Sequence, residues 1–349
     1  MMLVAMPTFS QAAGGILSQA ASPTLRDSSG MAPLHIHASL PTADTSVNDK
    51  VTFCIKHVSD FKERRQSLAQ LIGSIRKRYA ISPILVAYEG KYIHKNVGPE
   101  KEQYLRLTAA RGLSAGRNAL VRAVTTEYTM MIDDDVFFDA RSNVSRLVAH
   151  LEDDPRLALV AGCYSQHDCY AFNFSLVGDR RVQAMPVEVR TGTQELQHAQ
   201  LVHNAFLART LVLRAHPWDE RQHLMEHETF FAELSAAHIS VGFDSSVIIA
   251  HEAHVGSRSG EYNTRRYQES KYLQYLCRNF PRVQSWQMPY WTTDCTRQTY
   301  QIANYMTTPK PIEWAQNDDA TVTYTPLRNL TCFIVIPSAA TNVAQRDEL

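Results

Sequence analysis

The chain has 349 residues, enough for one large α/β domain with flanking extensions or for two smaller domains. Its 35 Lys and Arg balance 35 Asp and Glu, which excludes whole-chain electrostatic capture of a polyanion, so nucleic acid is not an expected partner. At 44% hydrophobic and 20% charged the composition is that of a globular enzyme or binding domain, and no apolar run reaches the ~18 residues of a transmembrane segment.

Residues 1–49 read differently from the rest of the chain. The first charged residue is Arg26, and Pro7, Thr8, Ser10 and Gln11 interrupt the apolar start, which makes a poor secretory signal. This segment reads as a disordered or targeting leader. From Val51 the pattern sharpens: Val51–Ile55 is a strand, and Leu68, Leu71, Ile72 and Ile75 mark one face of a helix. Pro83–Ala87 is a second strand, Ala115–Val124 a helix and Tyr128–Ile132 a third strand. A helix around Val144–Leu151, a strand at Leu157–Ala161, a helix at Met225–Ala237 and a strand at Val247–Ala250 complete the series. Alternating apolar strands and helices predict βαβ units and a mostly parallel sheet buried on both faces. Residues 170–215 give no clear assignment, and beyond Tyr262 the chain is aromatic and polar without a period.

Asp133-Asp134-Asp135 directly after a buried strand is the most informative feature. Ligands of open α/β sheets bind at the carboxyl ends of strands, and adjacent carboxylates there repel one another. A hard divalent cation, Mn²⁺ or Mg²⁺, resolves the conflict, and Asp133 and Asp135 alternate to one side of an extended segment. A solvated turn capping the next helix is the other reading. Upstream, Ser114-Ala115-Gly116-Arg117-Asn118 reads as a small-residue turn that places Arg117 and Asn118 in a helix's first turn, where backbone N–H groups face an anion. The alternative there is an ordinary Ser N-cap.

These segments, with Lys56 on the first strand and Ile72-Gly73-Ser74-Ile75-Arg76 in the first helix, resemble the nucleotide half of GT-A glycosyltransferases. More narrowly the chain resembles the β1,4-N-acetylgalactosaminyltransferase family, with a glycosyltransferase family 2/12-like pattern. Pro217-Trp218-Asp219, Glu226-His227-Glu228-Thr229-Phe230-Phe231, Asp244-Ser245 and Ile249-Ala250-His251 extend the likeness over residues 51–255. The resemblance implies a GT-A, Rossmann-like α/β fold: a mostly parallel mixed sheet with helices on both faces, spanning a catalytic domain at 50–260. Residues 261–349 would be a C-terminal extension packing on that domain and ending in a disordered tail.

It also implies roles. Asp133 and Asp135 would hold Mn²⁺ (or Mg²⁺) against the diphosphate of a UDP-sugar, with His251 as a third metal ligand. Lys56, Glu89, Arg117, Asn118 and Asp134 would lie on the nucleotide side, Glu89 standing where such proteins carry an Asp. Glu226 and Glu228 would serve acceptor binding and the general base, with Glu228 favoured as base. Two apart, they diverge by about 200° on a helix and so take separate roles. The expected reaction is inverting transfer of a sugar, best matched by N-acetylgalactosamine in a β1,4 linkage, to a glycan or glycolipid acceptor.

Other readings remain open on sequence alone. A GT-A enzyme using UDP-Gal or UDP-Glc would carry the same motifs, and a lectin-like descendant would keep the fold without the chemistry. His223-Leu224-Met225-Glu226-His227 is a formal H-x-x-E-H zinc-protease pattern, which requires both histidines on one helix face. The six cysteines contain no C-x-x-C pair; Cys163 and Cys169 form either a small disulfide loop or two thiols. Arg346-Asp347-Glu348-Leu349 resembles a K-D-E-L signal and, with acceptor triplets at Asn143, Asn173 and Asn329, agrees with an ER/Golgi lumenal enzyme. Tyr262, Tyr267, Tyr272 and Tyr275 are a set able to stack on a sugar or to line a helix face.

Overall fold

The computed structural model describes residues 45–92, 102–108, 111–165, 168–178, 180–191, 193–251, 269–289, 291–302 and 310–311. The leader through residue 44, Tyr262, Tyr267, the Asn329 triplet, Cys332 and Arg346–Leu349 lie outside the described residues.

A short α1 (Thr45–Asn48) leads into β1 (Val51–Val58), and α2 (Lys62–Arg78) returns the chain to β2 (Ile84–Glu89). Next come β3 (Glu102–Arg106), α3 (Gly112–Ala123), β4 (Tyr128–Asp133) and a two-residue β5 (Val136–Phe137). After α4 (Val144–Asp153) and β6 (Leu157–Cys163) the chain forms β7 (Ala171–Val177), β8 (Arg181–Pro186), β9 (Gln197–His198), β10 (Leu201–Val202) and β11 (Phe206–Arg209). It continues through α5 (Thr210–Ala215), α6 (Glu226–Ala236), β12 (Ser240–Ile248) and β13 (Ala250–His251). The last described elements are α7 (Glu269–Asn279), β14 (Ser285–Gln287), β15 (Trp291–Asp294), β16 (Thr299–Ile302) and β17 (Lys310–Pro311).

The main sheet has eight strands in the order β3-β2-β1-β4-β11-β6-β12-β9. Strands β3, β2, β1 and β4 are mutually parallel, as are β6 and β12, whereas β11 runs antiparallel between β4 and β6. Alternate residues of β1 and β4 enter two separate cores. Phe53, Ile55, Met130 and Ile132 pack with Leu68, Leu71 and Ile75 of α2 and Leu147 and Leu151 of α4. Cys54 and Met131 pack with Leu120 and Val121 of α3, Phe230 and Phe231 of α6, and Leu273 and Leu276 of α7. Helices therefore cover both faces, and each fully buried Leu or Phe contributes about 1.5–3 kcal/mol. This is the mixed α/β architecture expected from the apolar strands.

Sequence and structure part company at several elements. The expected small-residue turn at Ser114–Gly116 is helix interior, because α3 begins at Gly112. Gly112 has a φ of +78°, and a Cβ there would lie 2.4 Å from the His223 Cα, so the backbone crossing itself requires glycine. The Ser114 hydroxyl donates to the Gln222 carbonyl (2.5 Å) and caps nothing. Arg117 and Asn118 consequently sit inside the helix, not among free N–H groups. The expected strand at 247–250 is the end of the longer β12 and the start of β13.

Residues 170–215, unassigned from sequence, hold five strands. Of these β7, β8 and β10 join β14–β17 in a second sheet of order β10-β7-β8-β14-β15-β16-β17. The parallel pairing of β14 with β8 ties the described C-terminal segment to the strands after β6. Cys163 is bonded to Cys169 and Cys277 to Cys295, whereas Cys54 is a buried free thiol. Among the described residues no helix is long and apolar enough to cross a membrane.

Candidate active site

A cavity of about 580 Å³ opens where β1 and β4 end, at the carboxyl edge of the parallel strands. Its wall contains Lys56, Asp133, Asp134, Asp135, Glu226, Glu228 and His251, together with Arg117. Residues far apart in sequence thus meet at one place. Asn118 and Glu89 are not among the lining residues.

Asp133 ends β4, and Asp134 and Asp135 form the turn to β5. The three carboxylates have different partners. Asp134 is buried between Arg64, from which it accepts, and His57, whose Nδ1 lies 2.6 Å away. That enclosure makes Asp134 a post for Arg64 more than an open ligand. Asp135 accepts from Arg64 Nη1 at 3.0 Å, and its Oδ1 lies 3.6 Å from His251 Nε2. Asp133 accepts from Arg117 Nη2 at 3.0 Å, and its side chain keeps 30% exposure. The Asp135 carboxylate beside it holds the His251 imidazole above its ordinary pKa, although burial pulls the other way.

Arg117, 1% exposed, bridges Asp133 to Glu226 and lies against the Trp218 ring. Such a buried cation is tolerable only because both carboxylates pair with it. Gly116 is needed one position earlier: a Cβ would lie 2.2 Å from the Lys56 side chain. Lys56 donates to Glu89 (3.1 Å), burial lowers its pKa, and the Arg111 backbone N–H donates to the other Glu89 oxygen (2.9 Å). Glu89 therefore positions Lys56 from behind the wall. Asn118 is spent on the backbone of Trp218, accepting from its N–H (3.0 Å) and donating to its carbonyl (2.8 Å). Expected on the nucleotide side, it instead clamps α3 to the loop before α6.

Helix α6 starts at Glu226, after Met225 in the left-handed region (φ 58°). Backbone strain at a cavity wall is a feature of functional sites. Both Glu226 and Glu228 line the cavity, so the separation of about 200° expected for a helix interior does not part them. The reason is position: in the first turn both side chains reach the space beyond the helix end, where carboxylates also favour the positive pole of the helix dipole. Their partners differ, since Arg117 holds Glu226.

His223 lies ahead of α6, its carbonyl accepting from the Leu113 N–H (3.1 Å), and so shares no helix face with His227. His227 Nδ1 lies 2.6 Å from Asn204 Oδ1, and burial pushes its pKa down to about 3. The paired-histidine geometry of a zinc protease is not formed.

Residues without a local sequence signal complete the wall. Tyr164 stacks between the rings of His203 (3.8 Å) and His251 (4.7 Å), and Tyr170 lies near His203 and His227. Arg64 comes from the first turn of α2. The one available hint was the Cys163–Cys169 spacing, which closes the loop carrying Tyr164.

Among the described residues no three acidic, histidine or cysteine groups already stand at metal-binding spacing. The donor set nevertheless fits a manganese-like cation in kind: two partly exposed carboxylates and an imidazole share one cavity edge, two of them within 3.6 Å. Arg64 pairs with Asp135, and Arg117 with Asp133.

Residues 90–204 match the family model described as Glycosyl transferase family 2. The chain is 30% identical over 234 residues to Beta-1,4 N-acetylgalactosaminyltransferase 1 of Mus musculus, covering 64% of this chain and 43% of that protein. It is 28% identical over 196 residues to mouse Beta-1,4 N-acetylgalactosaminyltransferase 2, covering 54% and 37%. The chain spans less than half the length of the curated relatives it matches. A crystal structure of GalNAc-T7 with UDP, GalNAc and Mn²⁺ is similar at a TM-score of 0.45 and 11% identity, covering 66% of this chain and 50% of that one. Residues 90–204 thus match a glycosyl transferase family 2 domain, within a mixed α/β fold.

Proposed function

We propose that the protein is a metal-dependent, inverting glycosyltransferase that moves N-acetylgalactosamine from UDP to a hydroxyl of a glycan or glycolipid acceptor. The observation that carries this reading is the meeting of the Asp133–Asp135 triplet and Glu228 on one cavity wall at the strand ends. Asp133, Asp135 and His251 would hold the cation, which when bound supplies Lewis-acid neutralisation of the leaving diphosphate. Lys56 and Arg117 add fixed positive charge to the same wall, where an anionic nucleotide is favoured. Glu228 accepts the proton of the acceptor hydroxyl as that oxygen bonds to the anomeric carbon and the bond from that carbon to the diphosphate oxygen breaks. Attack from the face opposite the diphosphate inverts the configuration and needs no covalent enzyme intermediate. Glu226 holds Arg117 in place and is left with acceptor contact as its direct role.

Two disulfides support an oxidising compartment, which for a glycan-modifying enzyme is the ER/Golgi lumen. Donor profiling of the purified protein, with manganese and with EDTA, tests the reading. The expected result is UDP release from UDP-N-acetylgalactosamine that manganese supports and EDTA abolishes. Preference for UDP-galactose or UDP-glucose would overturn the donor, and release undiminished in EDTA would overturn the metal.

A further inference from the structure

The least explained part of the wall is the layered set of rings on its β6 side. Tyr164 follows Cys163, the last residue of β6, and the Cys163–Cys169 disulfide closes the short loop behind it. The Tyr164 N–H donates to the Asp168 carbonyl (3.0 Å), and His203 Nε2 reaches the same oxygen at 3.1 Å. The Tyr164 backbone and the His203 ring are thereby tied to one backbone oxygen, and the His203 ring stacks on that of Tyr164. On the other side Tyr164 lies nearly parallel to His251, with an interplanar angle of 12°. The His251 ring has no other ring contact among the described residues, and its Nε2 faces Asp135.

His251 ends the two-residue β13, and a side chain at such a position is held by little backbone pairing. A ring that must present one nitrogen at a fixed place needs support from elsewhere, since residues behind a ligand set its orientation.

We propose that Tyr164 is a positioning residue: its ring, fixed by the disulfide-closed loop and by His203, holds the His251 imidazole toward Asp135 so that the two are ready to share a divalent cation. This rests on the reading of the cavity edge as a metal site. The contact is one of ring faces, so phenylalanine is the expected adequate replacement.

The test is manganese affinity, measured by the electron paramagnetic resonance signal of free Mn²⁺, for the parent, Tyr164→Phe, Tyr164→Leu, His251→Ala and the Tyr164→Leu/His251→Ala pair. Loss of a supporting residue at a metal site typically weakens affinity about 10–100-fold. Tyr164→Leu is expected to fall in that range, Tyr164→Phe to stay within about twofold, and the double variant to bind no more weakly than His251→Ala alone. In the metal-free parent the His251 ring protons are expected upfield in the proton NMR spectrum, shifted by the tyrosine ring current, and to return downfield in Tyr164→Leu. Should Tyr164→Leu not fold, Tyr164→Met supplies the same ring deletion. Equal affinity in parent and ring-deleted protein, or additive losses in the double variant, overturns the proposal while leaving the metal reading intact. Absence of manganese binding by the parent overturns that reading first, and this one with it.

Discussion

Among single residues, the two glutamates at the start of α6 separate by partner. Glu228→Gln removes the proposed proton acceptor with little change of shape, so turnover is expected to fall about 10²–10⁴-fold while UDP affinity stays within about twofold. Steady-state kinetics beside a UDP titration checks this, and an unchanged rate moves the base elsewhere. Glu226→Gln acts on the fold as well, because it leaves buried Arg117 with Asp133 as its remaining charged partner. A loss of about 3 kcal/mol in unfolding free energy is expected, read by urea denaturation. Asp133 and Asp135 were legible in the sequence because carboxylates directly after a strand are a local pattern, whereas the glutamates came only through the family resemblance. Arg64, Tyr164 and His203 were not legible. Each reaches the cavity from a segment whose own pattern reports only its helix or strand, and their meeting is a product of the sheet order.

The elements that shape the wall bring a second buried acid into play. Glu233 on α6 accepts from Asn279 Nδ2 of α7 (2.8 Å), and Asn279 also reaches Asp219, which pairs with Arg221. Burial first, and the neighbouring Asp219 second, push the Glu233 carboxyl up from 4.5 to about 7. Between these two values the unfolded chain has lost the proton that the folded protein keeps, so stability falls as pH rises from about 4.5 through about 7. Glu233→Gln keeps the acceptor oxygen and removes the titration, and is expected to stabilise the protein at pH 8 by about 1–2 kcal/mol with little effect at pH 4.5. Urea midpoints at the two pH values check it, and an equal effect at both would contradict the account. His227 acts in the opposite sense, its depressed pKa of about 3 costing stability as pH falls below 6.5. The helix over Met225–Ala237 was expected from the sequence, which held no sign that α7 supplies the polar partner of its buried acid.

On the scale of the whole molecule, β1, β2, β4 and β6 were readable because each is an apolar run buried on both faces, whereas the polar, partly exposed parallel strand β3 was not. β11, four residues within the stretch that gave no clear assignment, escaped notice as well, yet it runs antiparallel between β4 and β6 and joins the two parallel halves. A strand that short shows no period, and only its neighbours bury it. The second sheet was hidden for a related reason: β7 and β8 are half-exposed, and part of their pairing lies more than 100 residues away in β14. What these elements achieve together is a cavity edge where three carboxylates and a histidine meet cationic side chains. The reading of that edge as a diphosphate-gripping metal site is tested most directly by calorimetric titration of UDP into the parent and Asp135→Asn, each with manganese and with EDTA. Binding by the parent that requires manganese, and that Asp135→Asn weakens at least tenfold, is the predicted result. UDP affinity indifferent to both manganese and the substitution would contradict it.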